Sequence, residues 1–212
     1  MGGIVLILLI TVSFYCVKGY TMYREALNNK SVLEKVEEIE SKKEYVYFKD
    51  LPKEYIKAVI AVEDHRYYEH GAIDVISITR AIINNVKAKK LIEGGSTITQ
   101  QLAKNIYFTQ DRKLERKIAE IFMAYEIEKE LDKDKIFELY VNTNYFGNGY
   151  YGIGNASHGY YDKEPSKLNL YECTMLAGVP NAPSVYAPTV NPELAERRRQ
   201  IVVEAMAKYE NE

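Results

Sequence analysis

Tryptophan is absent from the 212-residue sequence, and cysteine occurs only twice, at Cys16 and Cys173. The two cysteines are far apart and lie in different kinds of segment, so we predict neither a disulfide nor a cysteine-based metal site. The chain also lacks an excess of either charge, since 28 basic residues stand against 30 acidic ones, a net charge of −2. A nucleic-acid-binding domain usually has a strongly basic face, so this balance argues against nucleic acid as a partner.

Tyrosine is the abundant aromatic residue, with 19 copies against six phenylalanines. Its ring is apolar and its hydroxyl is polar, which suits proteins that meet sugars or a membrane interface, although tyrosine also fills protein cores. The chain length suits one ordinary domain with a short appendage.

A run without charged side chains, GIVLILLITVSFYCV (residues 3 to 17), lies near the start of the chain. As a helix it spans about 23 Å, short of a bilayer core of about 30 Å, and Tyr20 and Tyr23 can extend it into the interface. A cleaved signal peptide would need a basic leading region and a small-residue cleavage site, and neither is visible. We therefore predict a transmembrane anchor over residues 1–23 and a polar connector over 24–50.

Helical periodicity dominates the rest of the chain and strand signals are few, so the predicted fold class is mainly α. The segment YVYF (45–48) has strand-like composition. A long helix is predicted over 112–131, with an apolar stripe that we expect to be buried: Leu114, Ile118, Ile121, Phe122 and Tyr125. Glu120 lies about 120° from this stripe, where a solvent-facing ion pair with Arg116 would account for it.

The stretch GGSTITQQLAKN (94–105) has the features of an anion site at a helix start. Thr97 and Gln100 fit a capping box, and the helix that they open would point unpaired N–H groups and a partial positive charge at an anion. Several cations lie on this helix or follow it: Lys104, Arg112, Lys113, Arg116 and Lys117. A capped surface helix beside a solvated basic face would explain the same spacing equally well.

The stretch EDHRYYEH (63–70) places acidic and imidazole groups directly after an apolar helical run. A carboxylate at the end of such a helix can have a raised pKa, which suits proton transfer, but a charged helix terminus is an equally good explanation. The pattern GNGYYG (147–152) matches a dinucleotide-binding fingerprint by spacing alone. A predicted helix precedes it where that fingerprint needs a strand, so we interpret it as a tight turn.

Five stretches, in order, resemble the peptidoglycan glycosyltransferases of glycosyltransferase family 51: EDHRYYEHGAID, GGSTITQQLAKN, RKIAE, IFELYVNTNYFGNGYYGIGNAS and LNLYECTMLAGVPNAPSVYAP. The likeness covers about residues 50–190. It implies a lysozyme-like helical head with a smaller membrane-associated jaw lobe within residues 51–212, the jaw at about 74–92. The jaw helix ends in three lysines that suit anionic lipid, Lys87, Lys89 and Lys90.

The resemblance also implies a reaction and a set of site residues. Family members polymerise lipid II into glycan strands outside the cytoplasmic membrane, by inverting β1-4 transfer with release of polyprenyl diphosphate. Glu63 matches the general base and Glu120 the second essential carboxylate. The matched phosphate-contacting cations are Lys104, Arg112 and Arg116, and the matched substrate-cleft positions are Ser96, Gln101 and Asn105. A divalent cation at the diphosphate, Mg²⁺ or Mn²⁺, is left open, as are partners among the cell-wall synthesis proteins.

Two positions depart from the family pattern. Tyr67 stands where phenylalanine is usual, and the glycine after His70 is one position early, at Gly71. The orientation implied by the resemblance, with the catalytic region outside the membrane, conflicts with the charges beside the anchor. Lys18 and Arg24 follow the apolar run, and the positive-inside rule by itself would place that side in the cytoplasm.

Four alternatives remain at the level of the sequence. The chain could be a monofunctional transglycosylase or the transglycosylase domain of a class A penicillin-binding protein. A lysozyme-like hydrolase or lytic transglycosylase would also use a glutamate in a helical head, but it would not need cations grouped for a diphosphate. A non-catalytic, membrane-anchored scaffold would need neither the catalytic glutamate nor the grouped cations.

Overall fold

The computed structural model describes residues 2–90, 94–109, 111 and 113–209. Within these ranges the α-helices are α1 Gly2–Asn29, α2 Val32–Glu40, α3 Lys53–Glu63, α4 Val75–Ala88, α5 Ile98–Tyr107, α6 Leu114–Glu130, α7 Lys133–Thr143, α8 Ile153–Tyr161, α9 Leu170–Gly178, α10 Pro183–Tyr186 and α11 Pro192–Tyr209. Short 3-10 turns lie at Phe48–Asp50, Pro165–Lys167 and Val179–Asn181. The described part contains no strand, only an isolated antiparallel bridge between Tyr145 and Tyr151, so the prediction of a mainly α fold is confirmed.

The chain forms two compact units. The first unit consists of Met1–Glu37 and Gly71–Asp132, and the second of Glu38–His70 and Lys133–Glu212. The predicted boundaries at residues 23, 50, 74 and 92 stay predictions, and residues 91–93 lie outside the described part.

Helix α6 is the centre of the first unit, where it packs against both α1 and α5. The contact with α1 is close at Gly19, where an added Cβ would lie 2.6 Å from the side chain of Ile118. The rings of Tyr20 and Tyr23 lie 5.4 and 5.8 Å from the ring of Phe122. By length and composition α1 is a candidate membrane span over Val5–Asn29. The contacts of Gly19, Tyr20 and Tyr23 show that its second half also packs within this unit.

The predicted buried stripe of α6 is wrong in part. Leu114 and Tyr125 are exposed, and Ile118 and Phe122 are half-buried. The fully buried residues of this helix are instead Ala119, Glu120, Met123, Ala124 and Ile127. The physical reason is that α6 is covered by two helices, so its buried surface is wider than one apolar stripe and is rotated away from the largest side chains.

Helix α4 begins at an Asp74 cap, whose carboxylate accepts hydrogen bonds from the backbone N–H groups of Ile76 and Ser77 at 2.9 and 3.1 Å. The helix predicted here is confirmed. Its apolar side chains are largely exposed, including Val75, Ile76, Ile82, Ile83 and Val86. An apolar helical face left open to this extent is typical of a partner or membrane surface.

In the second unit, α3, α9 and α11 pack against one another. The strand-like segment 45–48 is not a strand. The side-chain amide of buried Asn142 accepts a hydrogen bond from Val46 N–H at 2.9 Å and donates one to Val46 C=O at 2.8 Å. One side chain thus satisfies the backbone groups that a neighbouring strand would have satisfied.

The glycine-rich stretch 147–152 is a tight turn, as predicted. Gly147, Gly149 and Gly152 all have positive φ angles, and α7 precedes the turn. At Gly152 an added Cβ would lie 2.9 Å from the carbonyl oxygen of Asn142, so both the backbone angle and the close approach require glycine.

Replacing Asn142 with alanine should destabilise the second unit. The change leaves both polar groups of the Val46 backbone without this partner, and a buried unsatisfied group costs about 1–3 kcal/mol. We expect a loss of about 2 kcal/mol in the free energy of unfolding, measured by urea denaturation in detergent. Asn155→Ala is the matched control, because its amide donates to Tyr151 C=O at an exposed position. Equal losses in the two variants would contradict the assignment.

Candidate active site

Glu63 is the last residue of α3, in the second unit. Its side chain is 11% exposed, and one carboxylate oxygen, Oε1, lies 3.5 Å from Nη2 of Arg198. The charge of Glu63 acts on two fully buried tyrosines. Burial raises the pKa of Tyr55 and of Tyr140 well above the usual value, and the negative charge of Glu63 raises both further. The predicted acidic group at the end of an apolar helix is therefore present and nearly shielded from water.

The turn after Glu63 is held by a hydrogen bond between Asp64 and His70, 2.7 Å long, with both side chains at most 5% exposed. Gly71 has no positive φ, and an added Cβ there would meet nothing within 4 Å. The turn therefore does not depend on a glycine at a fixed position. Tyr67 is fully buried, and its hydroxyl donates to the carbonyl of Lys133 at 2.6 Å, so the extra oxygen relative to phenylalanine has a partner.

The predicted capping box at the start of α5, in the first unit, is confirmed. Thr97 Oγ1 accepts from Gln100 N–H at 3.2 Å, and Gln100 Oε1 accepts from Thr97 N–H at 3.3 Å. One side of α5 is buried, whereas the candidate residues Gln101, Lys104 and Asn105 remain partly exposed. Their spacing of three and four residues places them together on the other side of the helix.

Glu120 is buried, with 1% exposure, and two cations from its own helix bind it. Arg116 binds Oε1, and Lys117 Nζ donates to Oε2 at 2.9 Å. Lys117 also donates to Ser96 Oγ at 2.6 Å, which joins the loop before α5 to α6. We call Lys104, Arg116 and Lys117, with Ser96 and Glu120, the cation cluster.

The cation cluster corrects one prediction and extends another. The ion pair of Glu120 with Arg116 is present, but the pair is not solvent-facing as the helical wheel predicted. Lys117 was not singled out from the other cations by the sequence, yet it contacts both Ser96 and Glu120. A signal was available, since Lys117 is three residues before Glu120 and can reach it on one helical face. Arg112 lies outside the described residues.

Lys117 is held in an environment that disfavours its charge. Burial, together with the neighbouring charges of Arg116 and Lys104, lowers its pKa to about 8. Burial also lowers the pKa of Arg116. An incoming anion would relieve this repulsion, so the cluster is suited to bind one.

The described residues around Glu120 fit a divalent cation poorly. Both of its oxygens are occupied by cationic side chains, and among the described residues it belongs to no group of carboxylates or imidazoles that could hold a metal. A metal here would have to take its ligands mainly from a bound phosphate.

Comparison with known proteins decides the family. The family model described as Transglycosylase matches residues 29–207. The chain belongs to the transglycosylase family. The resemblance read from the five motifs is thereby confirmed, and the capping box, Glu63 and the cation cluster all lie inside the matched range.

Individual relatives agree. The chain is 45% identical over 164 residues to penicillin-binding protein 1F of Bacillus subtilis (strain 168), an alignment that covers 77% of this chain and 23% of that protein. It is 46% identical over 167 residues to penicillin-binding protein 1A of Neisseria flavescens, covering 79% of this chain and 21% of the relative. Penicillin-binding protein 1A of Aquifex aeolicus (strain VF5) is 45% identical over 165 residues, 78% of this chain and 23% of the relative. The chain thus spans less than a quarter of the length of these relatives.

Binding of inorganic diphosphate should take up protons above about pH 8, because the anion restores the charge of Lys117. In calorimetry at about pH 8.5, in buffers of different ionisation enthalpy, the wild type should take up more protons than Lys117→Met, and the difference should vanish at about pH 6.5. Lys129→Met is the matched control on the same helix, since hydrogen bonding to Glu126 raises the pKa of Lys129. Proton uptake that is the same in wild type and Lys117→Met would show that Lys117 does not bind the anion.

Proposed function

We propose that this transglycosylase polymerises lipid II into peptidoglycan glycan strands. The observation that carries the proposal is the cation cluster, in which two cations bind one buried carboxylate and a third, Lys104, acts electrostatically on Lys117, in a member of this family. A hydrolase that cleaves glycan needs no such grouping, whereas a polymerase that releases a diphosphate does. The proposed activity belongs to the transglycosylase region, residues 29–207.

The cation cluster would bind the diphosphate that links sugar to polyprenyl lipid in the donor. Negative charge grows on this group as the bond from the anomeric carbon to the phosphate oxygen breaks. Lys104, Arg116 and Lys117 supply preorganised positive charge, with Arg112 as a further cation by family match. Glu120 fixes Arg116 and Lys117 side by side, so it acts through them and not on the sugar. Ser96, Gln101 and Asn105 remain the proposed substrate-cleft positions.

Glu63 would act as general base. Its carboxylate takes the proton from the 4-hydroxyl of the acceptor sugar while that oxygen attacks the anomeric carbon of the donor. One carbon–oxygen bond forms, the bond to the diphosphate breaks, and polyprenyl diphosphate leaves. Attack from the side opposite the leaving group converts an α-linked donor into a β1-4 product, so the transfer inverts configuration.

The first test is polymerisation of labelled lipid II by the purified full chain in detergent. We expect long glycan from wild type and a loss of at least about 100-fold in rate for Glu63→Gln, because a positioned base contributes about 10²–10⁴-fold. Glu54→Gln is the matched control, an exposed acid on the same helix, and should retain the wild-type rate. Repeating the assay with EDTA tests the divalent cation, which stays a prediction.

Other outcomes separate the rivals. Shorter muropeptides released from cell-wall sacculi, without polymer from lipid II, would identify a hydrolase or lytic transglycosylase. Complementation of a deletion strain by Glu63→Gln as well as by wild type would identify a scaffold.

The same proposal places the chain at the outer face of the cytoplasmic membrane. Helix α1 is a candidate span, and α4 leaves an apolar face exposed beside its terminal lysines. Membrane lipids are therefore proposed partners, as are other cell-wall synthesis proteins. The orientation rests on the family, because the positions of Lys18 and Arg24 favour the opposite one.

Contact of α4 with the membrane can be tested on a chain that begins at Gly19, which keeps the packing of α1 on α6. We expect this chain to bind vesicles that contain phosphatidylglycerol, and charge reversal of Lys87, Lys89 and Lys90 to glutamate to weaken binding by more than about tenfold. Reversal of Lys42, Lys43 and Lys53, which are also exposed, is the control. Unchanged binding after the first triple reversal would exclude α4 as the contact.

A further inference from the structure

Arg198 of α11 connects two helix ends in the second unit. Its Nη2 lies 3.5 Å from Glu63 Oε1 at the end of α3, and its Nε donates to the carbonyl of Gly178 at the end of α9, 3.4 Å away. The side chain is 12% exposed. Gly178 allows this path, since an added Cβ would lie only 3.0 Å from Arg198 Cγ.

The position of Glu63 disfavours its ionised form for two reasons. A helix C-terminus carries a partial negative charge, and the carboxylate is the last residue of α3. Partial burial then removes water that would solvate the charge. A base that is protonated at working pH cannot accept the proton of a hydroxyl, so the site needs a compensating cation.

The other titratable groups placed beside Glu63 among the described residues are phenols, an acid, a thiol and two imidazoles. They are Tyr55 in α3, Tyr140 from α7, Asp64 with its partner His70 in the following turn, Cys173 from α9 beside Tyr55, and His65, which stacks on Tyr209 of α11. The buried phenols stay neutral because burial raises their pKa, and Asp64 carries the same charge as Glu63. Arg198 brings a cationic guanidinium to the carboxylate.

We propose that Arg198 is a positioning residue for the base of the proposed function: its guanidinium, braced on the carbonyl of Gly178, keeps the Glu63 carboxylate ionised and fixed in direction. The inference rests on the proposed function, because it gives Glu63 a reaction to perform. The contact of 3.5 Å is at the outer limit of a hydrogen bond, so the guanidinium stabilises the charge without binding the oxygen tightly. The carboxylate can then still accept a proton.

The test is the pH dependence of lipid II polymerisation by the full chain. In Arg198→Met the acidic limb of kcat/KM should move up by about one pH unit, since loss of an opposite charge raises a carboxyl pKa by about 1–3 units. The rate should fall about tenfold on that limb and recover at higher pH, with kcat affected more than KM. A merely structural defect would lower the rate by the same factor at every pH.

Two further variants complete the design. Arg199→Met removes the same charge one residue away, where the guanidinium binds Glu196, and should leave the limb unchanged. Arg198→Lys keeps the charge but loses the planar fork, so it should keep the limb near its wild-type position while lowering kcat. Arg198→Lys provides the test if Arg198→Met fails to fold. An acidic limb of kcat/KM that moves up by about one pH unit in Arg198→Lys, although the charge is kept, would overturn the proposal.

The pKa of Glu63 itself separates this inference from the proposed function. Titration of side-chain-labelled glutamate by NMR, assigned with Glu63→Gln, should show a higher pKa for Glu63 in Arg198→Met than in wild type. If the wild type were inactive but the pKa of Glu63 still rose in Arg198→Met, the proposed polymerase function would be rejected and the interaction of Arg198 with Glu63 would be retained. An active wild type whose acidic limb and Glu63 pKa are both unmoved in Arg198→Met would reject the role of Arg198.

Discussion

The buried carboxylate of Glu120 determines how the cations of the first unit are arranged. A charge removed from water costs several kcal/mol unless it is paired, and here both oxygens are paired with cations from the preceding turn. The pairing works in both directions, because Arg116 and Lys117 would repel each other without the shared carboxylate. The consequence is a fixed, incompletely neutralised positive site, to which Lys104 adds its charge. Preorganised charge of this kind costs no rearrangement when an anion arrives.

Glu63 is also nearly buried, but its surroundings suit a different task. Glu120 is bound at both oxygens, which fixes it as a structural anion. The contact between Glu63 and Arg198 is long, and neutral phenols of Tyr55 and Tyr140 lie near it. Two carboxylates at similar depth can therefore differ in chemistry, because one is saturated by cations and the other is only stabilised.

Helix α6 links the cation cluster to the candidate membrane span. Gly19 of α1 allows the backbone of that helix to approach Ile118, and the aromatic residues of α1 cover Phe122. Arg116, Lys117 and Glu120 lie on the same helix, within two turns of Ile118 and Phe122. In the proposed function, the cations for the diphosphate are thus built on the helix that the membrane anchor packs against.

The sequence by itself determined the mainly α class, the capping box at Thr97, a helix within the jaw segment 74–92 and the family. Each of these depends on residues close together in the chain or on motifs whose order survives in the sequence. The pattern after α3 also indicated an acidic group at Glu63, to which the resemblance assigned the role of base. Glu120 was a candidate only through the resemblance, since periodicity placed it toward solvent.

Only the tertiary structure decided which faces are buried and which side chains meet. Helix α6 buries Glu120 because two helices cover it, and a helical wheel contains no information about the number of neighbours. The segment 45–48 is not a strand because the amide of Asn142, 96 residues from Val46, satisfies its backbone. Arg198 reaches Glu63 across 135 residues. Burial and long-range pairing are properties of the packed chain, so no local pattern could have specified them.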